Sequence, residues 1–161
     1  RAIPDEGGDT MFADMTAAYA ALPAGRRERL SGLRAVHHFS SRWSREQQKS
    51  GLRPPQTKEE QERTPPVEHP ITRTHPETGR KAIYAGGFTI GVTGLADDEA
   101  REVLDWIETF STQPAYVYRH TWRLHDLVFW DNRRAMHHAT PFPPDQRRHM
   151  HRTTVKGTAP Y

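Results

Sequence analysis

Two neighbouring stretches of the chain carry the residue types best suited to chemistry. Residues 130–138 (WDNRRAMHH) end in a pair of histidines, and residues 146–152 (QRRHMHR) include arginines at positions 148 and 152. Imidazole is a common metal ligand, and the planar guanidinium fork matches carboxylate or sulfonate oxygens in a way that an ammonium group cannot. The two stretches therefore predict a candidate site for a metal ion with an anionic partner.

The two arginines are predicted to lie on one face of a β-strand. Residues 146–156 alternate, with a PPD turn at 143–145 before them and Gly157 after them. In a strand Arg148 and Arg152 point the same way with bases roughly 13 Å apart, so they flank a site instead of sharing one small anion. An interior face would require an anionic ligand or an acidic partner, whereas an exterior face would leave both side chains in water. The residues alone leave both interpretations open.

The first stretch also carries a family resemblance. Its residues resemble the carboxyl-terminal signature of the taurine dioxygenase and 2,4-dichlorophenoxyacetate dioxygenase family. The matching residues are the run Trp130-Asp131-Asn132-Arg133 and, later in the chain, His137, Arg148 and Arg152. Members of this family are iron(II)- and 2-oxoglutarate-dependent oxygenases. The fit covers nearly the whole chain, with looser agreement at residues 40–68. The other matching stretches are GGDT at 7–10, RTHP at 73–76 with GRK at 79–81, and LHDLV at 124–128.

The resemblance implies roles for four residues of this chain. His137 would be the distal histidine ligand of the iron. Arg148 would bind the far carboxylate of 2-oxoglutarate, and Thr10 would donate a hydrogen bond to the same carboxylate, although a turn threonine without a ligand is the plainer interpretation. Arg152 would lie toward the substrate and bind its carboxylate or sulfonate. The imidazoles that compete with the proposed ligand are His138, His149 and His151.

The resemblance is incomplete at the metal site. The family takes its first histidine and its carboxylate from a His-x-Asp motif upstream of the glycine pair, and residues 1–6 hold no such motif. We therefore expect the chain to correspond to the second half of the family's domain, either as a fragment of a longer oxygenase or as a truncated form that holds iron poorly. The His-Pro-Glu sequence at 75–77 has ligand-like spacing, but it is predicted to be a surface corner that the family does not use as a ligand.

Short strands with helices outside them are predicted to position these residues. The chain has 161 residues, of which 34% are hydrophobic, and this suits one domain with a real core. The pattern predicts a mainly β (α+β) fold of jelly-roll type, and the resemblance implies part of a double-stranded β-helix. We expect residues 1–161 to form one incomplete domain, with 40–68 as a mobile lid or an insertion. Strands are predicted at 1–4, 70–74, 81–84, 116–122, 127–130 and 146–156.

The helices are expected to be scaffold. Residues 14–33 predict two helices divided at Pro23, and a further short helix is predicted at 57–63. The clearest helix covers 95–110, with Asp97 as its N-cap and acidic residues in its first turn. Its buried stripe is predicted to be Ala100, Val103, Leu104 and Ile107. The aromatic side chains that alternate along 116–122 are predicted to belong to the core.

Composition argues against several other partners. Twenty-three basic and 20 acidic residues give a formal charge of only +3, and no basic block concentrates it, so nucleic acid is not indicated and the arginines at 26–34 are expected to be solvated. The absence of cysteine excludes a disulfide scaffold. No apolar run approaches the ~20 residues that cross a bilayer. A cytoplasmic protein is expected, and the sequence leaves open whether it forms a homo-oligomer.

Two functions from different classes follow. The first is an Fe(II)- and 2-oxoglutarate-dependent dioxygenase that uses O2 to hydroxylate a small anionic organic substrate, with release of succinate and CO2. The substrate classes implied are aryloxyalkanoates, sulfonates and alkyl sulfates. The second is a non-catalytic β-sandwich that binds a small anion through Arg148 and Arg152 without metal. Metal analysis and the effect of His137→Ala on anion binding discriminate between them.

Overall fold

The backbone forms three small antiparallel sheets with helices beside them, in a computed structural model that describes residues 2–49 and 54–157. A short 3-10 turn at Pro114–Tyr116 leads into one of the strands. No helix in this described part of the chain is long and apolar enough to cross a bilayer. In chain order the elements are β1 (Thr10–Asp14), α1 (Met15–Ala20), α2 (Ala24–Leu30), β2 (Arg34–His37), α3 (Arg42–Lys49), α4 (Lys58–Arg63), β3 (Val67–Pro70), β4 (Thr72–Thr74), β5 (Lys81–Ile83), β6 (Thr89–Val92), α5 (Asp97–Ser111), β7 (Val117–His120) and β8 (Ala135–Ala139).

Strand β1 is the centre of the sheet that carries the predicted site. The strand order is β7-β1-β8, and both neighbours run antiparallel to β1. Thr10 pairs with His120 of β7 and with Ala139 of β8, and Phe12 pairs with His137 of β8. Because side chains alternate along a strand, these five residues share one face of the sheet.

The opposite face of this sheet packs into the hydrophobic core. Ala13 is buried there, and Met136 of β8 packs against the same cluster. The other two sheets, β3-β2-β6 and the hairpin β4-β5, contribute further buried residues to it. The stripe predicted for α5 is confirmed, with Leu104 only partly buried. The buried members of the stripe are Ala100, Val103 and Ile107.

The predicted helices in the first half of the chain are confirmed. Residues 14–33 contain α1 and α2 on either side of Pro23. Asp14 caps α1, since its carboxylate accepts hydrogen bonds from the backbone nitrogens of Thr16 and Ala17 at 2.9 and 3.0 Å. The short helix predicted at 57–63 is α4, which begins with a reciprocal capping box between Thr57 and Glu60.

The N-cap predicted for α5 is wrong by one residue. The helix begins at Asp97, and its N-cap is Ala96, which provides no side-chain hydrogen bond. Asp97 instead joins Asp98 and Glu99 in the first turn. Carboxylates are favourable there because the unpaired amides at a helix N-terminus carry partial positive charge.

Two features predicted for residues 116–130 are wrong. Residues 127–130 form no strand, and the outer edge of β7, to which they could have paired, has no partner strand among the described residues. The aromatic residues of 116–122 do not all enter the core, since the Tyr118 side chain is 62% exposed. Strand β7 pairs with β1 on one side only within the described residues.

The strand predicted for 146–156 is also wrong. The segment makes one isolated bridge, in which the His149 nitrogen donates to the Ala2 carbonyl at 2.8 Å. Beyond the bridge, residues 150–157 make no backbone hydrogen bond to the described residues. Alternation is a property of the segment alone, whereas a strand needs a neighbour to pair with. The strand predicted at 1–4 is likewise reduced to this bridge, and Arg1 lies outside the described residues.

The hairpin predicted at 70–84 is confirmed, and the predictions for residues 40–68 need correction. Strands β4 and β5 pair with Thr72 opposite Ile83. Residues 40–68 were expected to lack regular structure apart from one short helix, but they also contain α3 and the first two residues of β3. The prediction that residues 40–68 act as a lid stays untested, and residues 50–53 lie outside the described part. Strands β1, β2, β6 and β8 were not predicted.

Candidate active site

His137 is the central residue of β8, and its side chain lies on the sheet face that it shares with Thr10 and Phe12. Its ring belongs to a cluster of three aromatic rings, with centroid distances of 5.0 Å to Trp130, 6.3 Å to Phe12 and 5.3 Å between Phe12 and Trp130. The residue is exposed to solvent on the sheet face, but the desolvation that its neighbours cause lowers the pKa of His137, and the positive charge of Arg152 and the neighbouring His138 lower it further. The imidazole is therefore neutral at neutral pH, and this is the form that binds a metal. His138 pairs with Met11 and points to the opposite face.

The turn before β8 is held by a network around Asp131. The Asp131 carboxylate accepts hydrogen bonds from the Arg133 guanidinium at 2.6 to 3.0 Å and from the His75 ring nitrogen Nε2 at 2.9 Å. Arg133 also donates to Glu77 at 2.9 Å. The His75 Nδ1 accepts from two backbone amides at 3.3 Å, so its Nε2 carries the hydrogen. Residues 76–79 do form an exposed corner as predicted, but His75 itself is only 3% exposed and anchors the turn that leads to His137.

We expect Asp131→Asn to destabilise the protein in a pH-dependent way. Hydrogen bonds from Arg133 hold the pKa of Asp131 well below its ordinary value of 3.8. The stabilisation is therefore complete above about pH 4 and is lost as the pH falls toward the lower pKa of the folded state. Urea unfolding should give a deficit of about 2 kcal/mol at pH 7 that shrinks below pH 4. Asp145→Asn, at an exposed position, is the control, and a deficit that stays constant down to pH 3 would contradict the network.

Arg148 is anchored beside the glycine pair. Its Nε donates to the Gly8 carbonyl oxygen at 2.8 Å. Within the described residues its two terminal nitrogens make no hydrogen bond, so both remain available for a planar anion. Burial lowers the pKa of Arg148 and the nearby Asp9 carboxylate opposes this, so the guanidinium stays charged at neutral pH.

The glycine pair is required by backbone shape. Gly7 and Gly8 have φ values of 69° and 66°, in the left-handed region that other residues rarely adopt. A Cβ on Gly7 would overlap the Pro141 carbonyl oxygen, and one on Gly8 would lie 3.1 Å from the Arg148 Cδ. The close approach of backbone to backbone here brings Arg148 next to the start of β1.

We expect Gly7→Ala to destabilise the protein by more than about 2 kcal/mol. The left-handed conformation alone costs roughly 1–2 kcal/mol for a residue with a Cβ, and the overlap with Pro141 adds to it. Gly25→Ala is the matched control, because no atom lies within 4 Å of a Cβ there and alanine favours a helix. Thermal unfolding of both variants checks the prediction. Equal melting temperatures for the two variants would contradict it.

Thr10 opens β1 and is only 6% exposed. Its Oγ1 accepts a hydrogen bond from the Trp122 ring nitrogen at 3.0 Å. Gly8 and Asp9 connect it directly to the carbonyl that holds Arg148, so the two predicted cosubstrate residues lie at the same end of the sheet. Sequence reasoning did not find Trp122 as a partner, because no short-range pattern links residues separated by 112 positions.

Asp9 is a further charged group at this end of the sheet. It is 6% exposed and accepts a hydrogen bond from the Arg119 Nε at 2.6 Å. An open cavity of about 320 Å³ lies beside it, bordered by residues 3–5, 7–9, 121 and 122. The cavity adjoins Gly8 and Trp122 but is not lined by Thr10, Arg148 or His137, so it neighbours the predicted site without containing it.

Arg152 and the remaining histidines complete the set of predicted residues. Arg152 is exposed, makes no hydrogen bond to the described residues, and lies close enough to His137 to lower its pKa. The rings of His149 and His151 lie together on one side of the segment, with their centroids 5.2 Å apart. The alternation predicted for the arginine segment is thus kept even though its strand pairing is not.

The described residues offer one metal ligand where three are needed. No group of three or more His, Asp or Glu side chains within residues 2–49 and 54–157 is arranged to hold a metal ion. A facial iron site requires two histidines and one carboxylate. The neutral imidazole of His137 has the chemistry that one of these positions requires.

Comparison with known proteins identifies this arrangement. The family model "Taurine catabolism dioxygenase TauD, TfdA family" matches residues 1–154. The chain is 38% identical over 157 residues to an alpha-ketoglutarate-dependent 2,4-dichlorophenoxyacetate dioxygenase of Burkholderia sp. (strain RASC), covering 96% of this chain and 50% of that protein. It is 32% identical over 163 residues to an alkylsulfatase of Acinetobacter baylyi, covering 96% of this chain and 50% of that protein.

Solved structures show the same relationship. A crystal structure of AAD-2 in complex with Mn(II) and N-oxalylglycine superposes with a TM-score of 0.85 at 38% identity, covering 99% of this chain and 62% of that one. A taurine dioxygenase from Burkholderia xenovorans gives 0.70 at 30% identity, covering 87% and 43%. The chain thus spans about half the length of the curated relatives it matches. The predicted jelly-roll fold is confirmed, and the chain belongs to the TauD/TfdA family.

Proposed function

We propose that the protein containing this chain is an iron(II)- and 2-oxoglutarate-dependent dioxygenase that hydroxylates a small organic acid. The observation that carries the proposal is that Thr10 and His137 share one face of the β7-β1-β8 sheet, while Arg148 is hydrogen-bonded to Gly8, two residues before Thr10. An oxygenase of this class needs a metal ligand beside a clamp for the cosubstrate. Family membership and the names of the relatives support the same assignment.

The clamp would bind the far carboxylate of 2-oxoglutarate. Arg148 offers its two terminal nitrogens as a bidentate donor, and its Nε bond to Gly8 orients the fork. Thr10 contributes a hydroxyl from a buried position. N-oxalylglycine, which is bound in AAD-2, also has two carboxylates with an oxo group next to one of them, and this supports a cosubstrate of that shape.

His137 would supply one ligand to the iron. Its ring lies against the Phe12–Trp130 pair, which supports its orientation. When bound, iron(II) would supply the activation of O2, by which 2-oxoglutarate would be oxidised to succinate and CO2 and one oxygen atom would enter the substrate. The other two ligands are not among the described residues.

Arg152 would select the substrate by its charge. Its guanidinium is exposed, without a hydrogen bond to the described residues, and close to His137. A carboxylate, sulfonate or sulfate group would be held there in bidentate fashion, which brings the neighbouring carbon toward the metal. The named activities of the relatives, on 2,4-dichlorophenoxyacetate and on alkyl sulfates, support an anionic substrate of this kind.

The test is succinate formation by the full-length protein with iron(II), 2-oxoglutarate and a panel of aryloxyalkanoates, sulfonates and alkyl sulfates. Substrate-dependent succinate release is the expected result, and its absence with every compound would count against the proposal. Metal analysis completes the test. Absence of iron together with unchanged anion binding in His137→Ala would favour the metal-free β-sandwich that binds an anion through Arg148 and Arg152.

Three assignments of lower rank accompany this proposal. We infer a cytoplasmic location, because the charge and composition suit a soluble enzyme of small metabolites. Residues 40–68 are proposed to form a lid or an insertion next to the site. Sedimentation of the full-length protein would test whether it forms a homo-oligomer.

A further inference from the structure

The hydrogen bond between Trp122 and Thr10 has a defined direction. An indole nitrogen donates and cannot accept, so the Thr10 Oγ1 is the acceptor at 3.0 Å. The described residues provide no other hydrogen-bond partner for this hydroxyl oxygen. Its own hydrogen is therefore directed away from Trp122. A hydroxyl that already accepts one hydrogen bond becomes a better donor, because hydrogen bonds in a chain polarise one another.

Trp122 is held by contacts that do not involve Thr10. Its ring packs edge to face on His120, with centroids 4.6 Å apart and an interplanar angle of 86°. The His120 Nε2 lies 3.1 Å from the Asp126 carboxylate, which also accepts from the Arg123 backbone nitrogen at 2.9 Å. This turn contains His125 at a φ of 74°, a conformation that persists only where its surroundings enforce it. The indole is thus pre-positioned by the turn.

We propose that Trp122 is a positioning residue for the cosubstrate: its N–H occupies the Thr10 oxygen as an acceptor, so that the Thr10 hydroxyl hydrogen points to the far carboxylate of 2-oxoglutarate. The inference rests on the proposed function, since it takes Thr10 as part of the clamp. Arg148 follows the same logic, because the Gly8 carbonyl occupies its Nε and leaves the terminal nitrogens for the ligand. Both donors of the clamp are oriented by hydrogen bonds made at the start of β1.

A purely structural role for the bond makes a different prediction. A half-buried indole N–H needs a hydrogen-bond partner whether or not a ligand binds. Removing the bond would then lower stability and weaken every ligand alike. The positioning role instead requires that the loss appears only for a ligand with a far carboxylate, and only when Thr10 has its hydroxyl.

The experiment measures ligand dissociation constants by anaerobic calorimetry on the full-length protein loaded with iron(II). The variants are Trp122→Phe, Thr10→Val and the double variant, with Trp106→Phe as matched control, since Trp106 stacks on Phe110 in α5 at 5.0 Å. The ligands are 2-oxoglutarate and 2-oxovalerate, which lacks the far carboxylate. Using two ligands makes the result independent of small changes in stability.

The expected result is a loss of about five- to tenfold in 2-oxoglutarate affinity for Trp122→Phe, the size of one hydrogen bond. The same variant should bind 2-oxovalerate as the wild type does, and it should cause no further loss when Thr10 is already valine. Trp106→Phe should leave both affinities unchanged.

Three outcomes would overturn the inference. The first is an equal loss for both ligands in Trp122→Phe. The second is a Trp122→Phe effect that is as large with valine at position 10 as with threonine. The third is a wild-type affinity for 2-oxoglutarate in Trp122→Phe. If Thr10→Val weakens 2-oxoglutarate binding in the third case, the proposed function stands and only the role of Trp122 is lost. Failure of the wild type to bind 2-oxoglutarate would overturn both the proposed function and the role of Trp122.

Discussion

Replacing His137 with alanine is expected to reduce 2-oxoglutarate-dependent succinate formation by the full-length protein to the level without enzyme. The facial site requires three protein ligands, and His137 is the imidazole that shares a sheet face with Thr10 and packs against Trp130. Alanine leaves the backbone pairing of β8 intact but removes the ligand. Iron bound per protein, measured after dialysis, should fall together with the activity.

His138→Ala is the matched control for this experiment. It removes an imidazole from the adjacent residue of the same strand, but from the opposite face, where the backbone pairs with Met11. We expect iron content and activity close to those of the wild type. If the two variants lose iron to the same extent, the choice of His137 over His138 is wrong. Retention of both iron and activity in His137→Ala would remove the metal site from this strand.

Replacing Arg148 with methionine is expected to weaken 2-oxoglutarate binding by at least about 100-fold. Each charge-assisted hydrogen bond contributes about 1.5–3 kcal/mol, and two of them are lost when the fork is removed. The surroundings strengthen the effect, since the half-buried guanidinium has already lost part of its hydration and its burial lowers the Arg148 pKa. Calorimetric titration of the iron(II)-loaded full-length protein measures the loss.

Arg148→Lys separates charge from geometry at this position. Lysine keeps the charge but lacks both the planar fork and the Nε that donates to Gly8, so we expect a loss of about tenfold. Arg147→Ala is the control, because that side chain is exposed and makes no hydrogen bond to the described residues. Similar losses in Arg147→Ala and Arg148→Met would indicate a general electrostatic effect in place of a clamp.

The residues of the proposed site could be named from the sequence, whereas the strands that carry them could not. The resemblance to a short family motif was enough to propose His137 and Arg148, because short motifs are local. Strand β8 was not predicted, since five residues with two adjacent histidines show no clear alternation. Residues 146–156 alternate well but pair at one position only, because pairing depends on a neighbour that the segment itself does not contain.

Contacts between distant residues were not predictable from one sequence. His75 and Asp131 are 56 positions apart, and Thr10 and Trp122 are 112 apart, yet both pairs are direct hydrogen bonds. Each residue alone suits a turn or a core position, and only the folded sheet brings the partners together. The orienting contacts of the site therefore became visible only in the structure, whereas its ligand-binding residues could be proposed in advance.

The uncovered side of β7 has a consequence for handling this polypeptide. Within the described residues its outer edge has no partner strand, and Tyr118, which lies on this strand, is 62% exposed. Unpaired backbone groups beside apolar side chains are a template on which another chain can add a strand. A preparation of the 161-residue polypeptide alone would thus be prone to intermolecular β-pairing and precipitation. Its solubility would report whether the outer edge of β7 is covered.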